Sequence, residues 1–215
     1  MTSHAACLAP DSARFLDFFP KGAALTRLAG GFIWAEGPVW FGEFNELRFS
    51  DIPNNRIMRW SPVTGLSTFR QPSQRTNGHT RDRDGNMISC EHGGRCVSRT
   101  YLDGRYETLV THWNGKRLNS PNDVVVKSDG TIWFTDPPYG IISDHEGIKS
   151  DSAIGNNQVY RFDPATGQLD VVADDFDRPN GLAFSPDESE IYIADSGYAR
   201  GDGFAVVGGG ERIGV

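Results

Sequence analysis

Four short stretches each open with a polar, oxygen-bearing side chain and mostly run on into alternating apolar residues. They are Glu36-Gly-Pro-Val-Trp40, Asn77-Gly-His-Thr80, Asn122-Asp-Val-Val-Val126 and Asn180-Gly-Leu-Ala-Phe184. One carboxylate and several amide oxygens gathered in one place suit a hard divalent cation, because calcium takes oxygen donors in an adaptable geometry. The starts lie 41, 45 and 58 residues apart. Chemistry therefore depends on whether the elements that carry them bring them together.

The alternation after each start predicts a strand. A second strand recurs downstream as Leu47-Arg-Phe-Ser-Asp51, Met87-Ile-Ser-Cys90, Ile132-Trp-Phe-Thr-Asp136 and Ile191-Tyr-Ile-Ala-Asp195. In an all-β chain this period predicts a β-propeller with blades of four strands, whose innermost strands line a central channel. The four starts then converge at one mouth of that channel. The outer turns agree, since Ser61-Pro-Val-Thr-Gly65 matches Asp163-Pro-Ala-Thr-Gly167, and Leu102-Asp-Gly104, Asp84-Gly85 and Asp129-Gly130 read as hairpin turns. Residues 1–29 form an expected N-terminal arm, with Phe15, Phe18 and Phe19 suggesting a short helix and Ala23–Leu28 a lone strand able to complete a blade. The blades themselves are expected over 30–198, and a divergent glycine-rich tail over 199–215. Between Pro137 and Asn157 an insertion accounts for the longest step; if it rises at the same mouth, it covers the site and Tyr139 is its natural substrate contact.

The 215 residues carry 21 Lys and Arg against 28 Asp and Glu, a formal charge of −7. That balance argues against a nucleic-acid partner. No eighteen-residue apolar stretch and no basic-then-apolar leader is visible, so neither a membrane partner nor secretion is expected. Cys7, Cys90 and Cys96 make no disulfide framework, and a cytoplasmic location is the default. Cys90-Glu-His92 with Cys96 lacks the second ligand pair of a zinc finger. No nucleophile elbow, phosphate loop or dinucleotide fingerprint is present.

Taken singly, each candidate has a plain structural reading. Glu36 can be a solvated turn residue, and Asn122 and Asn180, each after a proline, can close a turn on their own backbone. Their recurrence at equivalent positions favours ligation. His79 is read as a substrate contact or a residue at the rim of the core. Asp123 is a candidate for support behind Asn122, and Asp51, Asp136 and Asp195 are expected to cap turns.

The combination Glu36-Gly-Pro-Val-Trp40, Asn77-Gly-His-Thr-Arg-Asp82, Ser120-Pro-Asn-Asp123 and Arg178-Pro-Asn-Gly-Leu182 resembles the gluconolactonase branch of the family that also contains regucalcin (senescence marker protein) and luciferin-regenerating enzyme. The similarity runs in consistent order from about residue 30 to about residue 198. It implies a six-bladed propeller holding one divalent cation, calcium or zinc, and hydrolysis of a small-molecule sugar lactone. By motif, Glu36, Asn122 and Asn180 match metal-site residues, and Asn77, His79 and Glu91 lie where substrate contacts fall. Six blades of this period need about 270 residues, so the last two blades and the family's proton-transferring aspartate are expected to be missing. Asp202, in Gly201-Asp-Gly-Phe204, is a faint echo of that aspartate's motif. A weakened or inactive site follows as an expectation, with a non-catalytic calcium- or ligand-binding propeller and a partner-binding scaffold as the alternatives.

Overall fold

The computed structural model describes residues 13–18, 23–197 and 213–214. The chain divides into two units, residues 1–32 and 33–215. The first contains a short 3-10 helix, Ala13–Phe18, within the expected arm. Residues 23–32 are irregular, so the strand expected over Ala23–Leu28 does not form.

The second unit is nearly all β. Three antiparallel four-stranded sheets follow one another, each with its strands in chain order. The first comprises β1 (Ala35–Phe41), β2 (Glu46–Asp51), β3 (Arg56–Ser61) and β4 (Gly65–Arg70). The second comprises β5 (Thr76–Arg81), β6 (Met87–Glu91), β7 (Cys96–Thr100) and β8 (Tyr106–Val110). A small hairpin, β9 (His112–Trp113) and β10 (Lys116–Arg117), leads to the third sheet: β11 (Val124–Val126), β12 (Ile132–Asp136), β13 (Gln158–Asp163) and β14 (Gln168–Ala173). A fourth sheet pairs β15 (Pro179–Phe184), β16 (Ile191–Asp195) and β17 (Ile213–Gly214). One α-helical turn, α1 (Tyr139–Ile142), lies in the insertion between β12 and β13. Among the described residues no helix is long and apolar enough to cross a membrane.

The turns obey local chemistry. Gly65 and Gly167, closing the two matching Pro-x-Thr-Gly turns, have φ of +70° and +75°, values at which a Cβ is strained.

Apolar side chains from successive sheets meet face to face. Phe41, Ile57 and Met87 join the first sheet to the second. Ile88, Val97, Val124, Ile132, Phe134 and Tyr160 form the largest cluster, between the second and third, where the Phe134 and Tyr160 rings stack at 5.2 Å. Val159, Leu182 and Ile193 join the third to the fourth. Each fully buried side chain of this size contributes about 1.5–3 kcal/mol, so every sheet depends on its neighbour.

Candidate functional site

The four strand starts share a local irregularity. Register breaks between Glu36 and Val39 in β1, between Thr76 and His79 in β5, and between Pro179 and Leu182 in β15. In the third sheet β11 begins only at Val124, after Asn122 and Asp123 have bonded to Thr135 through their backbones. Bulges of this kind turn a side chain out of the pleat. Glycine then lets the starts approach one another: a Cβ on Gly37 would lie 2.2 Å from the Asn77 carbonyl oxygen, and one on Gly78 2.5 Å from that of Asn122. The Gly78 N–H donates to the Asn122 carbonyl at 2.8 Å. The Leu182 N–H donates to Asp123 Oδ2 at 3.2 Å. Glu36, Asn77, Asn122 and Asn180 thereby open four strands that adjoin in chain order.

Hydroxyls fasten the same junctions from behind. Ser50 in β2 donates to the Asn77 carbonyl at 2.8 Å, and Thr135 in β12 donates to the Asn180 carbonyl at 2.8 Å. The aspartates ending the second strands cap the segments that lead into the starts. Asp51 Oδ1 accepts the N–H groups of Ile33 and Trp34, Asp136 Oδ2 that of Asn119, and Asp195 those of Asp177 and Arg178. Asp136 is fully buried, its Oδ1 has no hydrogen-bond partner among the described residues, and desolvation pushes its pKa up to about 7.

Around the starts, Asn77 and Asn122 are 6% and 4% exposed. Their Nδ2 atoms lie 3.2 and 3.5 Å from one nitrogen, His92 Nε2, at the end of β6. His92 Nδ1 donates to the Glu146 carbonyl at 3.2 Å, which brings the insertion back over this edge. Arg75 fastens the insertion through the His145 carbonyl at 2.6 Å, and Gly140 packs so closely that a Cβ there would lie 2.5 Å from His92 Cβ. Burial drives the His92 pKa down to about 4. Glu36 accepts the Trp34 indole N–H at 3.2 Å. Burial, with the negative charge of Glu36 adding to it, raises the pKa of both Asp123 and Glu146. Three carboxyl groups thus share one field. Asn180 Nδ2 donates to Ser196 Oγ at 3.2 Å. Tyr139 in α1 lies beside the same pair, with Arg178 5.7 Å from its ring.

Two residues expected to touch substrate take other places. His79 is 6% exposed, with Nε2 bonded to Ser50 and Nδ1 to Ser89, both at 2.8 Å. Burial lowers its pKa to about 3, with Arg70 and Arg48 adding to the effect. Both ring nitrogens are therefore committed inside the sheet, and of its two sequence readings the core-rim one fits the geometry. Glu91 is fully buried and occupies in β6 the position that Asp51 holds in β2. The longer side chain turns sideways to Arg70 at 2.9 Å, Ser98 at 2.7 Å and the Tyr106 hydroxyl at 3.2 Å. It lines a cleft of about 370 Å³ with Arg70, Cys96 and Tyr106, a lining that includes none of the four strand starts. Asp202 lies outside the described residues.

His92 and Glu146 were not singled out as site residues by the sequence. The only local hint is the glycine following His92 and those spaced along the insertion, which mark close approach without saying of what. Cys90 and Cys96 are buried free thiols. Among the described residues no three His, Cys, Asp or Glu side chains gather into a metal-binding cluster, and the donors along this edge are mainly amide oxygens with the Glu36 carboxylate. The donor set fits a hard, oxygen-seeking ion.

Sequential antiparallel sheets, each opening on an amide or carboxylate side chain, define a β-repeat protein. Residues 34–214 match the family model described as SMP-30/gluconolactonase/LRE-like region, and the chain belongs to that family. It is 36% identical over 184 residues to a gluconolactonase of Zymomonas mobilis, covering 79% of this chain and 51% of that protein. A lactonohydrolase of Aspergillus oryzae, oryL, is 29% identical over 179 residues, covering 75% and 40%. The structure of a gluconolactonase from Xanthomonas campestris superposes with a TM-score of 0.74 at 39% identity, over 77% of this chain and 55% of that one. A calcium-binding protein, regucalcin, from Agrobacterium tumefaciens shares the fold alone, with a TM-score of 0.57 at 16% identity over 76% and 51% of the two chains. The chain spans about half the length of the curated relatives it matches.

Proposed function

We propose that the four sheets are consecutive blades of a propeller, four of a ring of six, and that the chain carries the cation-binding part of a metal-dependent sugar-lactone hydrolase. One observation carries the reading. Four strand starts far apart in sequence adjoin in chain order, so that Glu36, Asn77, Asn122 and Asn180 fall along one edge. Relatives named gluconolactonase and lactonohydrolase supply the substrate class.

Glu36, Asn122 and Asn180 would hold one divalent cation. Calcium suits these carboxylate and amide oxygens, whereas zinc favours imidazole and thiolate ligands and is the alternative. When bound, the cation supplies Lewis acidity toward the lactone carbonyl and lowers the pKa of a water molecule. The chain's own residues bind and orient. Asn77 offers its amide oxygen to a sugar hydroxyl, and Tyr139, on the insertion, packs beside Asn180 to steer the ring. Asp123 keeps the Asn122 and Asn180 strands in register through the Leu182 N–H. Proton transfer is assigned to Asp202 on its motif alone, the family's own aspartate being expected beyond these blades.

Thermal unfolding of the 215-residue chain in calcium against a chelator tests the reading. Calcium at a hundred times its Kd adds about 2.7 kcal/mol, or about 5–10 °C for a chain of this size. Glu36→Gln is expected to remove most of that rise. A wild-type melt indifferent to calcium and to zinc would overturn the cation site. Proton release from a gluconolactone, abolished by chelator, supports hydrolysis; a calcium-stabilised chain without turnover would leave a binding protein.

A further inference from the structure

We infer that His92 is the positioning residue of the cation site: it fixes which way the Asn77 and Asn122 amides face, and the insertion over residues 137–157 fixes His92. The inference rests on the cation-binding reading above. A side-chain amide has a donor end and an acceptor end of nearly the same shape, and only its partners choose between them. An Asn that presents –NH2 to a cation repels it; the same Asn rotated by half a turn binds it.

For a neutral ring, whose Nδ1 also has the Glu146 carboxylate at 4.0 Å, the partners leave one arrangement. His92 Nδ1 faces the Glu146 carbonyl oxygen at 3.2 Å, and a carbonyl can only accept. Nδ1 therefore carries the ring proton, and Nε2 of the neutral imidazole is an acceptor. An acceptor must be met by donors. Asn77 and Asn122 accordingly turn Nδ2 toward Nε2, at 3.2 and 3.5 Å, and both Oδ1 atoms face away from the histidine. His92 has no exposed surface, so both contacts are shielded from bulk water. The insertion enters through Arg75, which holds the His145 carbonyl, and through Gly140, which packs against His92 Cβ and Cγ. Loop, imidazole and two amides form one polarised chain of hydrogen bonds, in which donation runs from the amide N–H groups through the imidazole to the Glu146 carbonyl. This is how a support behind a metal site selects the orientation of the ligands in front of it.

Two substitutions separate positioning from packing. His92→Gln places an acceptor where Nε2 stood and a donor toward the loop. His92→Asn keeps the donor toward Glu146 and is too short to reach the amides. Calcium affinity is measured by titration calorimetry on the full chain, with the chelator melt of each variant recorded beside it. The expected result is affinity within about threefold of wild type for His92→Gln and a loss of tenfold or more for His92→Asn, at similar chelator melting temperatures. Equal affinity in all three proteins would overturn the role of His92 while leaving the cation site intact. A wild type that binds neither calcium nor zinc would instead remove the reading beneath it. Long-range ¹⁵N–¹H spectra of wild type give a test that no variant's folding can disturb: a proton on Nδ1 supports the inference, and one on Nε2 overturns it.

Discussion

His79 in β5 and His92 just past β6 are both buried, both kept neutral by desolvation, and their surroundings are built on different logic. His79 lies between two serine hydroxyls, groups that donate or accept as required. Ser50 is in turn spent on Thr76 and the Asn77 carbonyl. Both ring nitrogens of His79 are spent on hydroxyls of the same wall, so the ring closes a network within it. His92 meets a carbonyl on one nitrogen and two amide N–H groups on the other. Its partners are directional, and the amides have a second end pointing elsewhere. A buried histidine whose neighbours are adaptable stabilises a sheet; one whose neighbours are directional and half-used sets up a site.

The contrast can be broken by substitution. His79→Leu leaves Ser89 without its partner and should cost about 2–3 kcal/mol, a drop of roughly 5–10 °C in the chelator melt. Calcium affinity should not change. A loss of affinity without loss of stability would place His79 at the site after all.

Gly140→Ala acts on the other histidine. The added Cβ would meet His92 Cβ at 2.5 Å and Ser120 Cβ at 2.7 Å, so the insertion must lift. A cost of about 1–3 kcal/mol is expected, together with several-fold weaker calcium binding. Wild-type affinity in a destabilised variant would detach the insertion from the amides.

The smallest effect is in the pH dependence. His79 titrates at about 3 in the folded chain against about 6.5 unfolded. Between those values only the unfolded chain takes up its proton, so the His79 contribution makes stability rise with pH and fall away as pH drops below about 6.5. Asp136, raised to about 7, works in the opposite sense between about 4 and 7, since there the folded chain holds the extra proton. Urea midpoints from pH 4.5 to 7.5 should therefore fall less steeply on acidification in His79→Leu than in wild type. Parallel curves would mean that His79 carries its proton in the fold.

Much of the architecture is legible in the chain because it is local. Alternating apolar residues, Asp-Gly turns and the paired Pro-x-Thr-Gly turns each declare a strand or hairpin over a few residues, and β1, β2, β5 and β6 follow that reading closely. Asp51, Asp136 and Asp195 could be read as caps for the same reason. The lone strand over 23–28 could not be settled in this way, since a strand exists only where another edge pairs with it. Glu91 shows the limit from a different side: its place in the repeat is that of a capping aspartate, but one extra methylene and the nearby Arg70 send its carboxylate into another cleft.

By itself the sequence determined the repeat, the oxygen-rich strand starts and the family to which the chain belongs. Those are properties of residue type and spacing. Only the tertiary structure decided which histidine faces those starts, that Glu146 returns from the insertion to meet it, and which way two asparagine amides point. An amide or an imidazole carries no orientation of its own. Direction in a hydrogen-bond network is set by the one partner that cannot reverse, here a backbone carbonyl brought in from a distant loop.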